Sequence, residues 1–229
     1  ETRPVQVWDV HQTVRAFTRR ELAGMFGGYY RDLMQSQPNH IELTGEKNTV
    51  GSILRPVAGE YTIPLTTGRG YCSLPPRHAM AQRFEKSGKD KLALLIVSDF
   101  DPEGEDIARS FARSMRDDFG IEAIHPIKVA LTAQQVREYE LPPIMQAKKT
   151  SSRYRKFSAR HGDDVFELEA LEPETLQRIV RSAIEGVIDR DAYSAEIAAE
   201  REDAVFLAGV RGTVSAALQG IDVGGGDDE

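Results

Sequence analysis

The chain has 229 residues, 40% apolar and 28% charged, an ordinary globular composition with room for one large domain or two small ones. It contains no run of 18 apolar residues, which excludes a transmembrane helix. Its single cysteine, Cys72, excludes an internal disulfide framework and a cysteine-based zinc site, and fits a reducing cytoplasm. With 29 basic against 36 acidic side chains the net charge is −7, so any nucleic-acid contact must come from a local basic patch or from bound cations.

The opening ETRPVQVW has no initiator Met and no signal-peptide pattern, as expected for a trimmed piece of a longer protein. Residues 1–36 read as helical, with Val10, Phe17, Leu22, Met25 and Phe26 as the apolar set and Gly27-Gly28 as an interruption. HIELTG, from His40, is a short strand, followed by a helix around Thr49–Ala58. YTIPLTTG is a second strand, flawed by Pro64. A helix follows Pro75-Pro76, with Met80, Ala81 and Phe84 on one face. LALLIVSD is a near-continuous apolar run, the signature of a central parallel strand buried on both faces. From about Glu105 to Asp118 a helix carries a stripe of Ile107, Ala108, Phe111 and Met115, with Phe119 continuing it and Gly120 ending it. IEAIHPIKVAL is the fourth strand, in which His125 reads as a structural histidine.

The alternation predicts an α/β fold: a small parallel four-stranded sheet flanked by helices, with mostly helical N-terminal and C-terminal additions. The expected divisions are a helical segment 1–38, the α/β domain 39–131, a mostly helical region 132–223 with a basic loop at 147–161, and a disordered tail 224–229. Helices are expected over Leu176–Ile188 and from about Ala192 to Leu218.

The sharpest chemical feature is VSDFDPEGEDI. Asp99 and Asp101 lie two apart where a buried strand ends, so on extended backbone both carboxylates face one point. Two carboxylates about 4 Å apart repel by roughly 1 kcal/mol in water and about 4 kcal/mol at an effective dielectric of 20. A cation removes that cost, and oxygen ligands without His or Cys select Mg²⁺, Mn²⁺ or Ca²⁺. The competing reading is a solvated turn whose acids Glu103, Glu105 and Asp106 favour the following helix dipole. TTGRGYCS lacks the third glycine of a dinucleotide fingerprint, and no Walker lysine motif is present. Glu46-Lys47 stands where the first strand turns towards a helix. Alone, Glu46 reads as a surface acid. In a parallel sheet the ends of neighbouring strands converge, and Glu46 then joins the aspartate pair in a metal-assisted phosphoryl-transfer site.

Taken in order, Glu46-Lys47, then Gly68-Arg69-Gly70-Tyr71 with Arg77, then Asp99-Phe100-Asp101-Pro102-Glu103-Gly104 resemble the Toprim domain. They resemble most its version in the topoisomerase VI A subunit and the related meiotic double-strand-break proteins. The matched stretch covers residues 39–130, under half the chain, and ELEAL at 167–171 weakly resembles a segment downstream in the same family. The resemblance implies a Rossmann-like Toprim sheet in which Glu46, Asp99 and Asp101 hold Mg²⁺, or Mn²⁺ in its place, beside a DNA phosphate. Glu46 would also serve as general acid or base, and Lys47, Arg69 and Arg77 would contact DNA. The implied activity is DNA strand cleavage or transesterification, and the implied partners are DNA, an ATPase subunit, an upstream winged-helix domain carrying a tyrosine nucleophile, and a second copy in a homodimer. Tyr29 and Tyr30 precede the matched stretch and read as packing residues of an N-terminal helix rather than as that nucleophile. Two alternatives stay open: a Toprim nuclease that uses water, and a non-catalytic DNA-binding or assembly module.

Lys148, Lys149, Arg153, Arg155, Lys156 and Arg160 crowd into 13 residues with Tyr154 and Phe157 between them, the best nucleic-acid stripe in an acidic chain or else a solvated basic loop. The five histidines show no metal-ligand spacing, and nothing marks Cys72 as a nucleophile.

Overall fold

The computed structural model describes residues 8–68 and 73–219. Arg69, Cys72 and the tail at 224–229 lie outside the described residues. The chain forms two units, one made of residues 32–194 and the other of residues 1–31 with 195–229.

The larger unit is α/β, with a four-stranded, all-parallel sheet. Its strands are β1 (His40–Gly45), β2 (Leu65–Thr67), β3 (Leu92–Val97) and β4 (Ile124–Ala130), in the spatial order β2-β1-β3-β4. β3 is buried at every position, as its unbroken LALLIV run requires of a strand covered on both faces. β2 is shorter than expected, because its ladder begins only after Pro64, which has no N–H to donate.

Side-chain alternation splits the core into two layers. Ile41, Leu43, Ala93, Leu95 and Val97 face one way, with Leu54 and Val57 of α2 (Gly51–Glu60) and Leu176, Val180 and Ile184 of α7 (Pro173–Glu185). Leu92, Leu94 and Ile96 face the other, with Met80 and Ala81 of α3 (Leu74–Ser87) and Ile107, Phe111 and Met115 of α4 (Gly104–Phe119). Each fully buried large apolar side chain here contributes about 1.5–3 kcal/mol. α3 and α4 both stop at glycines with positive φ, Gly88 (63°) and Gly120 (69°), the left-handed cap that glycine adopts without strain.

The route of the chain through this sheet fixes where a ligand can sit. From β1 it crosses by α2 to β2 on one side; then it returns by α3, on the opposite face, to β3 on the other side of β1. The direction of travel therefore reverses between β1 and β3, and open parallel sheets bind ligands at the carboxyl ends of strands flanking such a reversal. Gly45 of β1 pairs with Val97 of β3, so Glu46 and Asp99 both lie just past that edge.

Downstream of β4 the chain is better ordered than a mostly helical addition with a basic loop. Thr132 and Gln135 close a reciprocal capping box that starts α5 (Ala133–Glu138). β5 (Met145–Gln146) and β6 (Asp164–Val165) pair antiparallel, and between them lies α6 (Tyr154–His161). The expected basic loop is thus partly helix, anchored by the one buried side chain of α6, Phe157. Because Phe157, Val165, Phe166, Leu168 and α7 all enter the core under β1 and β3, residues 132–194 belong to the sheet's own unit rather than to a separate region. His125, expected as a structural histidine of an apolar strand, is exposed, since β4 is an edge strand.

In the smaller unit, helix covers less than the expected 1–36. α1 (Val14–Gly24) is capped by Thr13 and buries no side chain. Arg20 forks onto Asp9 at 2.9 and 2.6 Å, and Arg31 bonds Glu196 at 2.6 Å and Asp203 at 2.7 Å. The two acids belong to α8 (Arg190–Gln219), whose residues from Ala195 onward lie in this unit. Among the described residues, no helix is long and apolar enough to cross a membrane.

Candidate functional site

The D-x-D-P-x-G segment leaves β3 and folds into a tight turn that opens α4. Asp101 Oδ1 accepts a 2.6 Å hydrogen bond from Gly104 N–H, and Asp101 C=O accepts from Glu105 N–H at 3.1 Å. The glycine is required by close approach: a Cβ at Gly104 would stand 2.2 Å from the Asp99 carbonyl oxygen. The first aspartate is fixed from the far end of the unit. Phe100 and Phe166 exchange backbone hydrogen bonds at 2.9 and 3.1 Å, and Leu168 N–H donates to Asp99 Oδ1 at 2.9 Å.

Glu46 meets this turn from β1. Its Oε2 accepts a hydrogen bond from Asp99 N–H at 3.1 Å. Burial raises the Glu46 carboxyl to about 7; that hydrogen bond works against the rise, and the charges of Asp99 and Asp101 add to it. Burial also raises Asp101, against the Gly104 N–H bond and together with the charges of Glu103 and Asp99. The three acids expected to act together therefore do share one electrostatic environment at the reversal point of the sheet.

Two lysines serve that environment. Lys47 Nζ lies 2.8 Å from Asp99 Oδ2, 3.0 Å from Glu169 Oε2 and 3.5 Å from Glu167 Oε2. Burial opposes its charge, but the hydrogen bonds and charges of Asp99 and Glu169 outweigh burial and hold the ammonium above its usual range. Glu169 also accepts from Thr49 Oγ at 3.0 Å; burial would raise its carboxyl, and the bonds from Lys47 and Thr49 bring it below its ordinary value. Lys128, on β4, donates to Asp99 C=O at 2.9 Å and to Glu105 at 2.6 Å, and burial lowers its ammonium despite these acids.

Comparison with protein-family models, with curated proteins and with solved structures finds no match. The site is therefore read from its own chemistry. Its oxygens are hard donors suited to Mg²⁺ or Mn²⁺, and six carboxylates (Glu46, Asp99, Asp101, Glu105, Glu167, Glu169) stand against the ammonium groups of Lys47 and Lys128. Yet among the described residues no three His, Cys, Asp or Glu side chains are gathered as a metal would need. Asp99 spends one oxygen on Leu168 N–H and the other on Lys47, so Lys47 stands as the cation of the cluster. The donor set fits a divalent ion in charge and hardness, and seating one requires Lys47 to give up Asp99.

The remaining expected site residues lie elsewhere. Arg77 is 8% exposed, stacked 4.6 Å over the Phe111 ring with its guanidinium turned to Ser110, so in this structure it packs α3 against α4 rather than facing a DNA phosphate. Lys148, Lys149, Arg155 and Lys156 are exposed, while Arg153 bonds Asp106 of α4 at 2.7 Å. Tyr29 donates to Asp203, and that hydrogen bond, with burial, raises its phenol above the ordinary range, the opposite of what an activated nucleophile needs. Three participants escaped sequence reading: Lys128, Glu167 and Glu169. ELEAL is the segment that supplies two of them, but no spacing rule joins position 47 to 169.

Proposed function

We propose that this chain carries a Toprim-like centre for Mg²⁺-dependent cleavage or transesterification of a DNA strand. The observation that carries the reading is Glu46 hydrogen-bonded to the Asp99 backbone at the reversal point between β1 and β3, with Asp101 in the same electrostatic field. The ion, held by Glu46, Asp99 and Asp101, would supply charge neutralisation to a phosphodiester in its transition state. With its proton held near neutral pH, Glu46 can take a proton from an attacking hydroxyl or give one to a leaving oxygen. Lys128 fixes the Asp99 carbonyl and so the orientation of the acidic turn. Lys47 balances the acids when no divalent ion is bound and would be freed towards a phosphate when one is. The attacking hydroxyl is water or a tyrosine of another domain.

A second reading follows from the Lys47–Asp99 pair and the cap that Asp101 makes on α4: the acids are structural and the chain binds DNA without cutting it. Nicking of supercoiled DNA separates the two. Asp101→Asn keeps an oxygen for Gly104 N–H, and Glu46→Gln keeps the shape of the carboxyl. The catalytic reading expects nicking with Mg²⁺, none in EDTA, and loss in both variants. DNA binding without nicking in the wild type, unchanged in the variants, selects the structural reading.

A further inference from the structure

A cleft of about 220 Å³ lies between α4 and α6, its wall beginning at Pro102, next to the acidic turn. From α6 and its cap residue come Arg153, Lys156 and Arg160, at spacings of three and four that set them on one helix face. From α4 comes Arg109. The wall also holds two acids, and both are engaged: Asp106 with Arg153 at 2.7 Å, and Glu105 with Lys128 at 2.6 Å. Among the described residues no ion pair involves Arg109, Lys156 or Arg160. Cations four apart on one helix face repel, and the two acids of the wall are paired with Arg153 and Lys128 instead. This concentration of positive charge, four cations against two paired acids, sits in a chain whose net charge is −7.

We infer that this cleft is a phosphomonoester-binding subsite that takes the terminal phosphate of a nucleic-acid strand. A phosphomonoester carries about −1.5 to −2 at neutral pH where an internal diester carries a single charge, so three unpaired cations favour the former. Guanidinium forks from two facing helices suit its several oxygens. The volume is below the ~300 Å³ at which ordinary small-molecule pockets begin, which fits a phosphate with its sugar better than a whole cofactor. The nucleic-acid source of that phosphate rests on the function proposed above; the anion chemistry stands without it.

The test uses the whole chain in EDTA, so that the acidic centre plays no part. Labelled single-stranded oligonucleotides carrying a 5′-phosphate, a 3′-phosphate or only hydroxyl ends are titrated by fluorescence anisotropy, with adenosine monophosphate and inorganic phosphate as competitors. A phosphorylated end is expected to bind about tenfold more tightly than a hydroxyl end. Lys156→Gln with Arg160→Gln, both exposed and, among the described residues, in no ion pair, should erase that difference, whereas Glu46→Gln should leave it intact. Adenosine monophosphate binding that the double variant abolishes, without preference for a phosphorylated strand end, supports the phosphomonoester site and assigns it to free nucleotides. Equal affinity for all three oligonucleotides, with no binding of adenosine monophosphate or phosphate, overturns the proposal. An end preference in EDTA together with no nicking in Mg²⁺ keeps this subsite and removes only the catalytic reading.

Discussion

The Glu46 carboxylate accepts a 3.1 Å hydrogen bond from the backbone N–H of Asp99, joining the carboxyl ends of two neighbouring parallel strands. That bond fastens the acid that follows β1 to the turn that holds two more, and places all of them where the path through the sheet reverses. Its counterpart is electrostatic: burial and the neighbouring carboxylates make Glu46 reluctant to ionise.

This reluctance has a consequence for stability. The Glu46 carboxyl titrates near 7 in the folded protein against 4.5 when unperturbed. Between those values the folded chain holds a proton that the unfolded chain releases, so the stabilisation is complete below the unfolded value and is lost as pH rises through about 7. Glu46→Gln cannot ionise. In EDTA its Tm should match the wild type near pH 4 and exceed it at pH 8, as followed by circular dichroism. Parallel Tm curves for the two proteins would show that Glu46 titrates normally.

Gly104 is held to its identity by space. Gly104→Ala places a methyl against the Asp99 carbonyl, which must move and take both aspartates with it. The variant should lose about 2 kcal/mol in urea denaturation. Under the proposed function it should also show no nicking, while Gly212→Ala, where nothing lies within 4 Å, costs neither.

On the opposite layer of the sheet, Arg83 of α3 forks onto Glu42 of β1 at 2.8 Å through both nitrogens, and His40 Nε2 lies 2.9 Å from the same carboxylate. Glu42 is fully buried. Arg83→Ala leaves that carboxylate with His40 alone and should cost about 3 kcal/mol, whereas replacing the pair as Glu42→Leu with Arg83→Met should cost less than the single change. Chemical denaturation of the three proteins at one pH checks the ordering.

Lys47 holds Asp99 Oδ2 at 2.8 Å, so a divalent ion at the proposed centre would compete with it for that oxygen. Lys47→Met leaves Asp99, Glu167 and Glu169 without their shared ammonium, so the metal-free protein should be less stable and Mg²⁺ should bind more tightly than in the wild type. Isothermal titration of both proteins with Mg²⁺ checks the direction, and weaker binding by the variant would show that Lys47 organises the site rather than competing within it.

The elements that were legible in the sequence are those whose pattern follows from burial on known faces. LALLIV could only be a strand covered twice, and Ile107, Phe111 and Met115 could only be the inner stripe of a helix. α6 was hidden because a surface helix with one buried residue, Phe157, has almost no apolar period to read. Some missed features did carry a signal. Thr132 and Gln135 spell a capping box, and Arg77 stands three and four residues before Met80 and Ala81, the phase that buried it. At the candidate site Glu46, Asp99 and Asp101 were readable because strand ends converge in a parallel sheet. Lys47 was legible only as a DNA contact and Lys128 not at all, since both reach Asp99 through tertiary packing alone.

The most direct test is Mn²⁺ binding followed by electron paramagnetic resonance of the free ion, at pH 8 where Glu46 has lost its proton. A single Mn²⁺ is expected to bind the wild type, with affinity falling at least about tenfold in both Glu46→Gln and Asp101→Asn and weakening in the wild type as pH drops through 7. Absence of binding, or binding that neither substitution changes, would contradict a divalent ion shared by the ends of β1 and β3.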